Sequence, residues 1–260
     1  MSKLGYWKIA EQITSFLVLL LFFTGCQNHS ATAEKEAWVD LPVSDWPDFA
    51  LTNTIRFTDT TFTELANAFL IDTGYDTLAV TCKHIFLVFK NIGLKNIDPG
   101  ASLVEWYAYP KDHVDNKVVF GDMINRDINE ETREFNTLKD RDWIIFHLKS
   151  GSNGVYPLKI RTEPLKKGEN VYSVGWSAIQ KTEEPLLVRM QVYENMGNYC
   201  YISTSSEDID PHGSSGSPVI DSNGRLVGLV SGAEGNLGVI AAVPYLVSLF
   251  EKYGIEYTRQ

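Results

Sequence analysis

The chain has 260 residues, a hydrophobic fraction of 44% and a formal net charge of −10. That apolar content excludes disorder for the chain as a whole, and the acidic balance excludes nucleic acid as a partner, because binding a phosphate backbone needs concentrated Lys and Arg. About 235 residues remain if a leader ends before residue 26, enough for one large or two small cores.

The N-terminus reads as an address. Lys3 and Lys8 precede the apolar run 16–23, and the small residues Thr24 and Gly25 lead into Cys26. A hydrocarbon core needs roughly 20 helical residues, so this run is an export signal and not a span. Phe23-Thr24-Gly25-Cys26 resembles the bacterial lipobox, which implies lipid attachment at Cys26 and an exported lipoprotein held to a membrane, facing the periplasm or the exterior. An ordinary secretory signal cleaved nearby is the alternative. Residues 27–36 are small and polar without apolar periodicity, and they read as a flexible tether. With Cys26 lipidated, only Cys82 and Cys200 remain, too few for a disulfide scaffold. Both fall in apolar strands, where a free buried thiol is the common state and a bridge between them is the alternative.

Short strands separated by turns dominate from there on. Segments 68–72 and 78–81 flank Thr73-Gly74-Tyr75-Asp76, a hairpin by its turn chemistry. Further strands are predicted at 102–109, 117–120, 143–148, 170–176, 186–193 and 199–204, and two more at 218–220 and 226–230 around Asp221-Ser222-Asn223-Gly224. The acidic stretch 122–134 reads as a solvated loop. Residues 149–156 mark a boundary between two halves, and 245–253 carry an apolar helical stripe that caps the fold. Strands at this spacing favour a barrel or a sandwich pair over a parallel sheet.

Between the strands at 199–204 and 218–220 lies Gly213-Ser214-Ser215-Gly216-Ser217-Pro218. Glycines on both sides of Ser215 let the backbone turn sharply and expose N–H groups, as a serine nucleophile with an oxyanion hole requires. Its base must come from five histidines. His29 lies in the tether, His113 in a charged loop and His147 inside a strand as a structural imidazole, while His212 is too close to Ser215 along the chain. His84 ends the apolar strand 78–84 and can reach a cleft from a rigid support. The carboxylate that orients the base must be buried. Asp142 directly precedes the apolar Trp-Ile-Ile-Phe strand, whereas Asp140 has more polar neighbours. The order is therefore His84, Asp142, Ser215. No histidine follows Ser215, which excludes the usual α/β-hydrolase, and Ser217 occupies the last glycine position of a GxSxG elbow.

These segments resemble the trypsin-like, chymotrypsin-fold serine peptidases, especially bacterial glutamyl endopeptidases and HtrA proteases. Val80-Thr81-Cys82-Lys83-His84 resembles the Thr-Ala-Ala-His segment, Asp142-Trp-Ile-Ile-Phe the Asp-Ile-Ala-Leu-Leu strand, and Gly213 to Pro218 the Gly-Asp-Ser-Gly-Ser-Pro loop. The likeness covers roughly residues 60–250, and the three motifs in order are jointly specific where each alone is weak. It implies an all-β fold of two antiparallel six-stranded barrels with a C-terminal helix. The expected organisation is a signal at 1–26, a tether and N-terminal extension at 27–49, one barrel at 50–150 and a second with the terminal helix at 151–260.

The resemblance also implies a catalytic triad of His84, Asp142 and Ser215, with the backbone N–H groups of Gly213 and Ser215 as the oxyanion hole. Ser231 corresponds to the family serine that hydrogen-bonds the aspartate, and the strand 228–232, with Ser231 and Gly232, lines the substrate pocket. Neither cofactor nor metal is needed, and the partner is a protein or peptide substrate. Ser214 replaces the Asp that pairs with a newly cut amino terminus in zymogens, so that activation switch is not expected. The strand 228–232 lacks the histidine of glutamyl endopeptidases, and preference for Glu is not supported. Asp210 or Asp208 either enters the pocket and favours basic residues or faces solvent. No PDZ module is expected before Gln260. The functional reading is a lipid-anchored serine endopeptidase; the alternative is a catalytically silent relative that binds peptides or a partner in the same crevice.

Overall fold

The computed structural model describes residues 34–177, 182, 184–204 and 213–259. The expected signal with Cys26, and His29, Asp208, Asp210 and His212, lie outside the described residues. Strands β1 (Leu51–Phe57), β2 (Thr61–Asp72), β3 (Thr77–Thr81), β4 (Asn96–Ile97), β5 (Leu103–Tyr109), β6 (Val118–Met123), β7 (Asp127–Glu131), β8 (Ile144–Leu148) and β9 (Leu158–Lys159) come first. Of these, β1, β5, β6, β8, β3 and β2 follow one another around a sheet that closes through the β1–β2 pairing, with β9 added parallel to β2. The second half contributes β10 (Asn170–Gly175), β11 (Leu186–Asn195), β12 (Tyr199–Thr204), β13 (Pro218–Ile220), β14 (Leu226–Glu234) and β15 (Leu237–Ala242). These form a closed barrel in the order β10-β11-β12-β15-β14-β13. Every strand pair within the two barrels is antiparallel. Closure leaves neither sheet a long open edge.

Side-chain alternation decides which residues fill each barrel. Along β5, Trp106 and Ala108 point inward while Leu103, Glu105 and Tyr107 are partly exposed. Trp106 then packs on Phe89 and Phe146 at centroid distances of 5.9 and 4.9 Å. Along β11, Val188, Met190 and Val192 turn into the second core, each flanked by less buried residues. The first core also continues through Val174, Leu226 and Leu229 to the C-terminal helix α3 (Val243–Tyr253), following two one-turn helices α1 (Phe86–Phe89) and α2 (Phe135–Leu138). Helix α3 buries Leu246, Leu249 and Phe250, has Pro244 in its first turn and ends at Gly254 with φ of 68°. Glycine takes that left-handed stop without a Cβ clash. Each large apolar side chain so buried is worth about 1.5–3 kcal/mol.

Four expectations change. The acidic stretch 122–134 is not all solvated loop, because β7 within it pairs with β4, and Glu130 joins the buried Lys83 at 2.9 Å. A buried ammonium needs a counter-ion, and β7 supplies it. The expected tether stops short of residue 36: Glu36 is buried and meets Tyr156 Oη at 2.8 Å, Lys159 at 3.1 Å and Arg225 at 3.3 Å. Burial raises the Glu36 pKa, but those three partners outweigh it and hold it below the usual value. His147 is exposed on β8 and is not a buried structural imidazole. Strands β1 and β15 complete the two barrels, although neither was predicted as a strand. Cys82 and Cys200 are both buried and free, so no bridge joins the barrels; burial pushes the Cys200 thiol up to about 11.

Candidate active site

Register places the histidine beside the aspartate. In the antiparallel β3–β8 pair Thr81 faces Ile144, and two residues on from Thr81 and two back from Ile144 this pairing brings Lys83 against Asp142, whose carbonyl accepts from Lys83 N–H at 3.4 Å. His84 follows in the 3-10 turn Lys83–Ile85. Its backbone N–H donates to Asp142 Oδ1 at 2.7 Å and its Nδ1 lies 2.7 Å from Oδ2. The Ser231 hydroxyl also donates to Oδ2. Asp142 is wholly buried, so these three donors replace the water it has lost. Of the two ring nitrogens, they leave Nε2 as the one that Asp142 does not hold. Burial disfavours a charged His84, but the Asp142 carboxylate, helped by Cys82, outweighs it and holds the pKa well above the ordinary imidazole value.

The serine loop is tied to the same strands. Gly213 and Gly216 have φ of 87° and 80°, and Gly216 N–H donates to Val230 O at 2.7 Å while Ser217 N–H donates to Ser214 O at 3.0 Å. Ser215 O accepts from Asn67 N–H at 2.7 Å. Thus Ser215 sits one hydrogen-bonded residue from Val230, the neighbour of Ser231, which binds Asp142. No hydrogen bond joins Ser215 to His84 among the described residues; a contact of this kind commonly tightens only when substrate binds.

Beside the loop, a cavity of about 210 Å³ is lined by Ser214, Ser217, Val188, Met190, Ile202, Val230, Gly232 and Leu237, among others. Among the described residues, no charged side chain lines it. Gly232 therefore lies where a pocket residue was expected. Ser231, expected with it, does not line the cavity, because strand alternation turns its side chain away from that of Val230 and towards Asp142.

Residues 66–229 match the sequence pattern of the trypsin-like peptidase domain. The chain belongs to this peptidase family. No curated protein matches it. Among solved structures, its fold is similar to the Rv3671c protease in an inactive form, with a TM-score of 0.52 and 18% identity over 85% of this chain and 98% of that one. It is similar also to the active form of the Rv3671c protease from M. tuberculosis, with a TM-score of 0.51 and 17% identity over 87% of this chain and 90% of that one. At these identities the likeness is one of fold.

Several residues of this trypsin-like site had no sequence signal as site residues. Phe135 meets His84 edge-on, 5.6 Å between centroids, and its ring also lies over Gly232, where a Cβ would fall 2.7 Å from Cζ. Glu130 accepts from Lys83 Nζ at 2.9 Å and from Arg141 Nε at 2.8 Å, so one carboxylate pairs with the neighbours of both His84 and Asp142. Burial lowers the Lys83 pKa, against the opposing pull of Glu130. Asn67 reaches across from β2 to the serine loop. Only an apolar lysine context hinted at the first pair, and nothing local distinguishes Phe135 or Asn67.

Proposed function

We propose that the chain is a serine endopeptidase that hydrolyses peptide bonds through an acyl-enzyme. The observation that carries this reading is the buried Asp142 carboxylate with three donors, two of them from His84. In this reading Ser215 Oγ attacks the scissile carbonyl as His84 Nε2 takes its proton. Asp142 keeps the other ring proton on Nδ1 and stabilises the imidazolium. The N–H groups of Gly213 and Ser215 receive the developing oxyanion, each such donor being worth about 3 kcal/mol of barrier. His84 then returns its proton to the leaving amine, and water repeats the sequence on the acyl-enzyme. The walls of the cavity, as the described residues form them, suit an uncharged side chain before the scissile bond.

The test is fluorophosphonate labelling of the full-length chain against its Ser215→Ala variant. Labelling of the parent and none of the variant is the expected result; equal labelling of both, or none of either in folded protein, sinks the peptidase reading and leaves the peptide-binding alternative. We propose too that the protein is exported and held to a membrane by lipid on Cys26, supported by the Phe-Thr-Gly-Cys motif; palmitate incorporation that survives Cys26→Ala would reject this.

A pH dependence follows from His84. The base must be neutral to act, so its raised pKa places the acid limb of kcat/KM above pH 6.5. Stability runs the opposite way. The imidazolium–carboxylate pair contributes fully below the unfolded-state value of about 6.5, and that contribution is lost as pH rises through the folded-state pKa. Hydrolysis should therefore rise over the same window in which the thermal midpoint gives up this contribution, and an acid limb at or below pH 6.5 would contradict the assignment.

A further inference from the structure

We infer that Asn67 is a positioning residue that holds the oxyanion-binding backbone of the serine loop in its working orientation. This rests on the serine peptidase reading for the loop's role, and on geometry for the clamp. Asn67 is 2% exposed and lies on β2 of the first barrel, across the seam from the loop. Its side-chain Nδ2 donates to Gly213 O at 3.0 Å and more weakly to Ser215 O at 3.4 Å, while its backbone N–H donates to Ser215 O at 2.7 Å. Gly213 and Ser215 are the two residues whose N–H groups the proposed hole uses. One residue thus fixes the carbonyl of each donor residue, and with it the peptide planes on both sides of the one that carries the Ser215 N–H and the plane that follows the Gly213 N–H.

The amide is itself oriented without ambiguity. Trp176 N–H donates to Oδ1 at 3.1 Å and Trp176 O accepts from Nδ2 at 3.0 Å. A backbone N–H and a backbone C=O admit only one orientation of the side-chain amide between them. Asn67 therefore ties β2, the end of β10 and the serine loop together at one point.

The fold strains its backbone to bring Asn67 there. The β1–β2 register slips between Thr52 and Thr54, leaving residues 64–66 bulged opposite Asn53. Glu64 and Ala66 have φ of 52° and 59°, left-handed values that non-glycine residues rarely adopt. The bulge is held from below: buried Asn53 donates to Ala66 O at 3.2 Å and Asn67 O at 3.1 Å, its own Oδ1 accepts from Trp106 Nε1 at 2.9 Å, and Thr81 Oγ1 donates to Asn67 O at 2.7 Å. Bulges re-aim side chains, and strained residues persist where surroundings over-determine them. Here the re-aimed side chain is Asn67.

Two substitutions in the full-length chain test this. Asn67→Asp keeps shape and the acceptor for Trp176 N–H but sets an oxygen against the three carbonyls of Trp176, Gly213 and Ser215; Asn67→Ala removes the clamp. Both are expected to raise amide hydrogen exchange across residues 213–217 about tenfold relative to β14, and to slow fluorophosphonate labelling by about 10²-fold. With a fluorogenic peptide that the parent cleaves, the loss should fall in kcat with KM changed by less than about threefold, since the hole acts in the transition state. Parental exchange in folded Asn67→Asp, or parental labelling with a loss only in thermal midpoint, overturns the inference and leaves Asn67 a packing residue. Failure of the parent itself to label removes the peptidase reading alone, because the exchange comparison still decides the clamp.

Discussion

Asp142→Asn is expected to lower kcat by about 10⁴-fold while the protein stays folded. The carboxylate accepts from His84 N–H through Oδ1, and from His84 Nδ1 and Ser231 through Oδ2. An amide can keep its oxygen on the backbone N–H, but its NH₂ then faces the ring. Nδ1 must become an acceptor, the ring proton moves to Nε2, and Nε2 can no longer take a proton from Ser215. The Ser231 hydroxyl can rotate to accept, so the stability loss should be only about 1–2 kcal/mol. The acid limb should also move down in pH, because burial of His84 remains while the opposing carboxylate is gone. Steady-state kinetics across pH beside a thermal melt checks both parts; a kcat within tenfold of the parent would show that Asp142 does not orient the base.

Gly216→Ala should disable the site by a different route. Gly216 has φ of 80°, and a Cβ there would lie 2.1 Å from Asn67 O and 3.1 Å from Thr81 Oγ1. The left-handed backbone alone costs a non-glycine residue roughly 1–2 kcal/mol. The larger effect is the collision with a backbone carbonyl that two side chains and a strand already hold in place. The serine loop must move away, and a displacement near 1 Å is worth about 10²-fold in rate. Gly168→Ala is the control, since Gly168 has φ of 82° with nothing within 4 Å of a Cβ. It should lose only the left-handed-backbone increment of thermal stability and label with fluorophosphonate at the parental rate. Equal labelling by both variants would mean that the loop tolerates displacement.

How far the site was legible depended on whether a residue's role is local. Ser215 stood out because its glycines announce a turn, and His84 and Asp142 because each adjoins an apolar strand that fixes its support. The β3–β8 register then brings the last two to 2.7 Å. Strand β1 escaped prediction because Leu51 to Ile55 is buried on both faces, with Thr52, Asn53 and Thr54 among the buried residues, so the polar–apolar alternation that marks a strand is absent. The stretch 122–134 read as loop because its carboxylates look solvated until Lys83 is seen behind Glu130.

By itself the sequence determined the strand-rich class, the order of the three candidate residues and the glycines that shape the serine loop, since turn chemistry, hydrophobic runs and chain order are properties of neighbours. The tertiary structure decided what crosses between elements: Glu130 serving Lys83 and Arg141, Phe135 lying over His84 and Gly232, Ser231 turning to Asp142, and Asn67 reaching the loop from the other barrel. Those pairings join residues up to 148 positions apart. No window of sequence carries them, because barrel closure and one strained bulge create the distances on which they depend.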